Sequence, residues 1–195
     1  GAMLAKFRNI GQACTAANRF IVHASVVEAF ADRITERVSA MALGRGTEPG
    51  VEIGPLIDEK AVAKASELVA DAVRRGATVR TGGAVPEGEG TFYEPTVLVD
   101  VPASADIMRE EIFGPVLAIA SFTSEAEAVR LANDTEYGLV SYVFTQDLAR
   151  GYRMIDLLET GMMGLNVGVV SNAAAPFGGV KQSGVGREGG AEGIH

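Results

Sequence analysis

The chain has 195 residues, of which 47% are hydrophobic and 22% charged, a balance that is typical of a folded protein with a sizeable core and excludes intrinsic disorder. Its net charge of -8 argues against a nucleic-acid partner, and no apolar run approaches the roughly 18 to 20 residues that span a bilayer. One cysteine and two histidines predict neither an internal disulfide nor a metal centre, so we expect a soluble, cytoplasmic α/β protein.

The two ends of the chain predict that it comes from a longer protein. Residues 1–3 resemble the remnant of an expression tag, which leaves 4–195 as a single domain. The last three residues, 193–195, carry no capping or turn signal. We therefore expect a domain that has been separated from its neighbours.

The first half of the chain predicts two amphipathic helices and three strands. Ser25 is placed to cap a helix over 25–41, and Asp58 to cap a second helix that stops at Gly76. The predicted strands lie at 78–81, 96–101 and 116–122. The last strand is an almost unbroken apolar run, which is typical of a strand covered on both faces.

Helices and strands also alternate in the second half. Ser124 and Glu127 form a capping box for a helix that ends near Asn133, and Asp147 caps a helix that ends near Leu158. Further strands are predicted at 139–145 and 162–167. Because strands alternate with helices along the whole chain, we predict an open, mostly parallel sheet flanked by helices.

The only thiol, Cys14, stands in a segment that is polar for a core. An inert, buried cysteine is one interpretation, because free cysteines often act as small hydrophobic residues. A nucleophile is another, since Gly11 permits a close backbone approach to a ligand and Arg8 supplies positive charge that favours a thiolate. A Cys–His dyad with His23 or His195, as in a thiol acyl-transferase, is a third.

Three segments carry a family resemblance, and they occur in this order: FRNIGQAC at 7–14, EEIFGP at 110–115, and NVGVVSNAAAPFGGVKQSGVGRE at 166–188. Together they resemble the nucleophile, cofactor-contact and substrate-pocket motifs of the aldehyde dehydrogenase superfamily. The resemblance covers the family's catalytic domain, so 4–195 would be that nucleophile-bearing domain, without the coenzyme-binding domain. It implies that the chain alone turns over slowly or not at all.

The resemblance implies a role for each motif. Cys14 would attack an aldehyde to give a thiohemiacetal and then a thioester that water hydrolyses. Glu111 would hold the nicotinamide ribose of NAD or NADP, and Phe113 would lie behind the nicotinamide ring. A solvated acidic turn is the alternative interpretation of Glu110 and Glu111. The general base and the side-chain oxyanion donor of the family would lie upstream of this chain.

A carboxylate-bearing substrate is predicted by Arg8 and Ser171, which could bind an acid group at the far end of a short aldehyde. With the segment GPLIDEKAV at 54–62, this pair resembles the succinate-semialdehyde dehydrogenases, which act in 4-aminobutyrate breakdown and form homo-oligomers. Phe177 would line the same substrate pocket. Glutarate semialdehyde would suit the same groups, and a non-catalytic binding or assembly module remains an alternative of another class.

Two further features limit the interpretation. Residues 184–189 match the dinucleotide pattern G-x-G-x-x-G, but that fingerprint needs a helix after it and an acidic residue about 20 positions on. We therefore predict a tight loop there. Ala16 stands where some family members carry a second cysteine, so no disulfide switch with Cys14 is expected.

Overall fold

The computed structural model describes residues 1–194, which form two compact units, one of 6–123 and one of 1–5 with 124–194. We refer to them as the first and the second unit. His195, which the sequence suggested as a dyad partner, lies outside the described residues. The chain starts with helix α1 (Ala2–Phe7), followed by a short 3-10 turn (Arg8–Gly11).

The first unit is built on a four-stranded sheet. Its strands are β1 (Arg19–His23), β2 (Thr78–Thr81), β3 (Thr96–Val99) and β4 (Val116–Phe122), in the spatial order β1-β4-β3-β2. The β1–β4 and β3–β4 pairs are parallel, and β2 is an antiparallel edge strand. All of β3 and the first five residues of β4 are buried, which confirms the prediction of a covered strand at 116–122.

Two helices belong to the first unit, α2 (Val27–Ser39) and α3 (Glu59–Arg74). The cap predicted for α3 is confirmed, because an Asp58 side-chain oxygen accepts a hydrogen bond from the Ala61 N–H at 2.8 Å. Small and aliphatic side chains of α3 then enter the core, and Leu68 and Val69 each contribute about 2 kcal/mol of apolar burial there. A 3-10 turn (Asp106–Met108) closes over the same core.

The cap predicted for α2 is wrong. The Ser25 hydroxyl lies 2.8 Å from Nδ1 of His23, and α2 begins after Val26, which makes no side-chain capping bond. Ser25 therefore bonds back to the imidazole at the end of β1 instead of to the first turn of the helix.

The second unit contains α4 (Glu125–Asn133), α5 (Leu148–Leu157) and two small sheets. A parallel pair joins β6 (Val140–Val143) to β7 (Met162–Leu165), and an antiparallel pair joins β5 (Tyr137–Gly138) to β8 (Val180–Lys181). Side-chain oxygens of Ser124 and Asp147 accept hydrogen bonds from the first turns of α4 and α5, so both predicted caps are confirmed. The prediction of an α/β fold with a mostly parallel sheet is likewise confirmed.

No helix within 1–194 is both long enough and apolar enough to cross a membrane. Over the same described range, no group of three or more His, Cys, Asp and Glu side chains is placed to hold a metal ion.

Candidate active site

The chain reaches Cys14 through a left-handed turn. Asn9, Ile10 and Gly11 have φ angles of 52°, 64° and 76°, a region that costs a non-glycine residue about 1–2 kcal/mol. The turn is closed by two hydrogen bonds, from the Asn9 side-chain amide to the Gln12 carbonyl at 2.7 Å and from the Gln12 N–H to the Asn9 carbonyl at 2.9 Å. Such strain persists only where surrounding contacts enforce it, and it is common at functional sites.

The backbone at Gly11 packs closely against the carbonyl group of Gly114. A Cβ at this position would lie 2.3 Å from the carbonyl oxygen of Gly114, far inside contact distance. Only glycine both adopts the positive φ and permits this approach. The 7–14 and 110–115 segments, identified separately in the sequence, therefore touch through their backbones.

Asn18 joins the same two segments by hydrogen bonds. Its side-chain nitrogen donates to the Glu110 carbonyl at 2.9 Å and to the Ile107 carbonyl at 3.3 Å, and its side-chain oxygen accepts from the Ile112 N–H at 2.8 Å. The amide thus uses both its donors and its acceptor on a segment about 90 residues away in the chain.

The segment at 54–62 lies against the left-handed turn as well. The side-chain oxygen of Gln12 accepts a hydrogen bond from the Ile57 N–H at 2.9 Å. A Cβ on Gly54 would lie 3.3 Å from the end of the Ile10 side chain, so these two residues are also in close contact. The glutamine of the motif therefore has a structural role two residues before Cys14.

Cys14 is exposed and makes no disulfide. The interpretation of Cys14 as a buried core residue is therefore wrong. Arg8 is exposed too, and its guanidinium donates a hydrogen bond at 3.0 Å to the hydroxyl of Thr15, the residue after Cys14. One exposed cation is thus bonded to the residue that follows the only thiol in the sequence.

Glu111 and Phe113 are both exposed and flank the buried side chain of Ile112. Phe113 is 39% exposed and has a φ of 49°. A carboxylate and a large aromatic ring that remain accessible on a tightly held backbone are suited to binding a ligand with hydroxyl groups and a flat ring.

Lys6 is a buried cation that the sequence did not reveal. It is only 1% exposed, and burial lowers the pKa of its ammonium group from 10.5 to about 7. The negative charge of Glu111 acts in the opposite direction and raises that pKa. The buried ammonium group of Lys6 therefore interacts electrostatically with the Glu111 carboxylate.

The other two predicted site residues, Ser171 and Phe177, lie in the second unit. Ser171 is exposed, and Phe177 is half-buried and exchanges two backbone hydrogen bonds with Glu188, at 2.6 and 2.8 Å. Arg187 supports this loop by donating to the Gly179 carbonyl at 2.8 Å.

The glycines at 184–189 form turn and loop structure, and no helix follows them within the described residues. Gly184 and Gly189 have positive φ angles of 86° and 63°. The prediction of a tight loop instead of a dinucleotide fingerprint is confirmed.

His23, the other suggested dyad partner, is placed at the end of β1. One ring nitrogen is 2.8 Å from the Ser25 hydroxyl, and the ring meets Phe122 edge-on at a centroid distance of 5.2 Å. These contacts give the imidazole a local structural role.

Sequence reasoning missed Asn18 and Lys6. An asparagine two residues before an apolar stretch is a weak sign of a side chain that bonds to the backbone, and it could have drawn attention to Asn18. Lys6 offers no such signal, because a lysine in a short amphipathic stretch is ordinarily solvated.

Comparison with known proteins places this geometry in context. The sequence model of the aldehyde dehydrogenase family matches residues 1–195. The chain is 53% identical over 194 residues to a succinate-semialdehyde dehydrogenase of Paenarthrobacter nicotinovorans, a match covering 100% of this chain and 43% of that protein. It is 50% identical over 194 residues to a glutarate-semialdehyde dehydrogenase of Pseudomonas aeruginosa, covering 100% of this chain and 40% of that protein.

A solved structure agrees with these matches. The crystal structure of an Escherichia coli NADP-dependent enzyme has a TM-score of 0.97 to this chain at 49% identity, and the match covers 99% of this chain and 40% of that one. The chain thus spans about two-fifths of the length of these relatives.

Proposed function

The chain belongs to the aldehyde dehydrogenase family, and from this premise we propose that it carries the nucleophile of an NAD(P)-dependent dehydrogenase that oxidises succinate semialdehyde to succinate. One observation carries the proposal: the exposed thiol of Cys14 follows a strained turn whose Gly11 is seated against the Gly114 carbonyl. The similarity to succinate-semialdehyde dehydrogenases supports the choice of substrate.

The reaction begins when the Cys14 sulfur adds to the aldehyde carbon and forms a C–S bond. The former carbonyl oxygen becomes the oxyanion of a thiohemiacetal, and the Cys14 backbone N–H stabilises it. A nicotinamide cofactor held by Glu111 and Phe113 would supply the acceptor for the hydride that leaves this carbon. The resulting thioester on Cys14 is hydrolysed by water, which releases succinate and restores the thiol.

Arg8 binds the distant carboxylate of the substrate. This exposed side chain donates one hydrogen bond to the Thr15 hydroxyl, and its forked guanidinium has the geometry that suits a carboxylate. We also propose substrate-binding roles for Ser171, as a hydroxyl donor, and for Phe177, as an apolar side chain.

Glu111 and Phe113 fit a nicotinamide cofactor. The Glu111 carboxylate has two acceptor oxygens for the two ribose hydroxyls, and the exposed ring of Phe113 offers a flat apolar surface for the nicotinamide. Both side chains project from a backbone held by Asn18 and by the Gly11 contact.

We further propose that the chain is the nucleophile-bearing catalytic domain of a longer, homo-oligomeric enzyme. The match to about two-fifths of each relative supports a longer protein, and the remainder would supply the coenzyme-binding domain, the general base and the side-chain oxyanion donor. A cytoplasmic location suits it, since an exposed thiol stays reduced there.

Glutarate semialdehyde is a second candidate substrate. It has the same aldehyde and carboxylate with one more methylene between them, and a relative at 50% identity is named for it. One methylene in a pocket is worth only about 1–3 kcal/mol, so both compounds could be oxidised at different rates.

The test is a substrate panel on the full-length enzyme, comparing succinate semialdehyde, glutarate semialdehyde and uncharged butanal. The highest kcat/KM is expected for succinate semialdehyde, and Cys14→Ala should abolish NAD(P)H formation from all three. Butanal as the best substrate would refute the proposed anionic substrate class.

The contrasting possibility, a non-catalytic binding module, is tested at the thiol. A catalytic Cys14 should react with iodoacetamide faster than glutathione does at neutral pH. Alkylation no faster than glutathione, with no turnover by the full-length enzyme, would favour the binding module.

A further inference from the structure

The side chain of Asn18 grips the main chain on both sides of Glu111. It donates to the carbonyl of Glu110, which precedes Glu111, and it accepts from the N–H of Ile112, which follows it. Both peptide groups of Glu111 are therefore fixed by one amide, at 2.9 and 2.8 Å, while the carboxylate itself stays exposed.

Asn18 also lies only four residues after Cys14 along the chain. The nucleophile and the backbone that carries the cofactor-binding carboxylate are thus linked through a single side chain. We propose that Asn18 is a positioning residue that sets the distance of the Glu111 carboxylate, and hence of the nicotinamide ribose, from the Cys14 sulfur. This inference rests on the function proposed above.

The chemistry of the contact restricts which residues can replace Asn18. The contact needs two N–H donors, for Glu110 and Ile107, and one acceptor, for Ile112. Aspartate keeps the acceptor and loses both donors, and its charge would face carbonyl oxygens. Leucine keeps the approximate size and loses every hydrogen bond, so the backbone around Glu111 would be released.

Asn133 of the second unit provides a matched control. Its side chain makes the same type of bridge, donating to the Leu157 carbonyl at 2.8 Å and accepting from the Glu159 N–H at 3.0 Å. Asn133→Ala therefore removes equivalent bonds in a part of the chain that the proposed mechanism does not use.

The experiment measures binding of NADP and of NAD to the full-length enzyme, together with steady-state kinetics, for the wild type, Asn18→Ala, Asn18→Asp and Asn133→Ala. Both Asn18 variants should raise the cofactor Kd about tenfold, since bonds that orient the binding group are lost. The KM for succinate semialdehyde and the cofactor-free alkylation rate of Cys14 should change less than about twofold. Asn133→Ala should lower the melting temperature without changing the cofactor Kd.

Hydrogen exchange separates the contact from its function. The Ile112 amide should exchange faster in both Asn18 variants than in the wild type, and at the wild-type rate in Asn133→Ala. If the wild type binds the cofactor and both Asn18 variants bind it with the same Kd, the role of Asn18 is overturned and the proposed function is not. A wild-type enzyme that binds neither NAD nor NADP would instead overturn the proposed function on which this role depends. If Asn18→Ala does not fold, Asn18→Asp decides the matter by the same Kd comparison.

Discussion

Replacing the buried Lys6 with methionine is expected to stabilise the protein at acidic and neutral pH. Methionine has a similar length and carries no charge. Burial lowers the pKa of Lys6 from its ordinary 10.5 to about 7 in the folded protein. At about 1.4 kcal/mol per pH unit, this difference corresponds to roughly 5 kcal/mol of unfavourable charge burial.

The direction of the pH dependence follows from these two values. Below pH 7 the lysine is protonated in both the folded and the unfolded state, so folding carries the full penalty. Between pH 7 and 10.5 the unfolded chain binds one more proton than the folded protein, and the free energy of unfolding rises with pH by up to about 1.4 kcal/mol per unit. Lys6→Met should lack this rise.

Urea unfolding followed by circular dichroism, at intervals from pH 6 to pH 10, measures the effect on the chain itself. Lys60→Met is the control, because Lys60 is exposed on the first turn of α3 and should keep the wild-type slope. At pH 6, Lys6→Met should be more stable than the wild type by several kcal/mol. Equal slopes for Lys6→Met and the wild type, or a loss of stability at pH 6, would refute the reasoning.

Three other predictions concern the turn, the substrate and the second unit. Gly11→Ala should lower the free energy of unfolding by a few kcal/mol, because its Cβ would lie 2.3 Å from a backbone carbonyl oxygen. A Cβ at Gly46 meets nothing within 4 Å, so Gly46→Ala is the control. Urea unfolding of both variants measures the difference, and equal stabilities would contradict the prediction. In the full-length enzyme, Arg8→Gln should raise the KM for succinate semialdehyde roughly ten- to a hundredfold and leave that for butanal unchanged, and equal effects on both would contradict a carboxylate-binding role. Hydrogen bonds from Arg153 lower the pKa of Glu125 to about 2, so its stabilising effect is present above pH 4.5 and disappears as pH falls through 2. Glu125→Gln should therefore flatten the decline in melting temperature from pH 5 to pH 2, and an unchanged decline would count against this ion pair.

Much of the fold could be predicted because its signals are local. Asp58, Ser124 and Asp147 each bond to a backbone N–H three residues further on, so neighbouring residues decide the outcome. The cap predicted at Ser25 does not form because a second local partner, His23, competes for its hydroxyl. Strand β1 was missed, since its five residues are recognisable only beside their parallel partner β4, about a hundred positions on.

Only part of the candidate site could be predicted from the sequence. Motif resemblance identified Cys14, Glu111 and Phe113, and their assignments as site residues stay predictions until the variants are measured. Asn18 and Lys6 could not be found from local patterns, because the importance of each depends on the distant 110–113 segment. The sequence separation of the Asn18–Ile112 bond is 94 residues, and no periodicity or cap reports a contact of that range.

The hydrogen bonds around Glu111 have a consequence for how affinity for the proposed coenzyme can change. Asn18 recognises only peptide oxygen and nitrogen atoms, which almost every amino acid at 110–112 would present unaltered. These hydrogen bonds therefore do not depend on which side chain stands at position 111. If Glu111 binds the coenzyme as proposed, that side chain can be exchanged to alter the affinity while the hydrogen bonds of Asn18 to the backbone are kept.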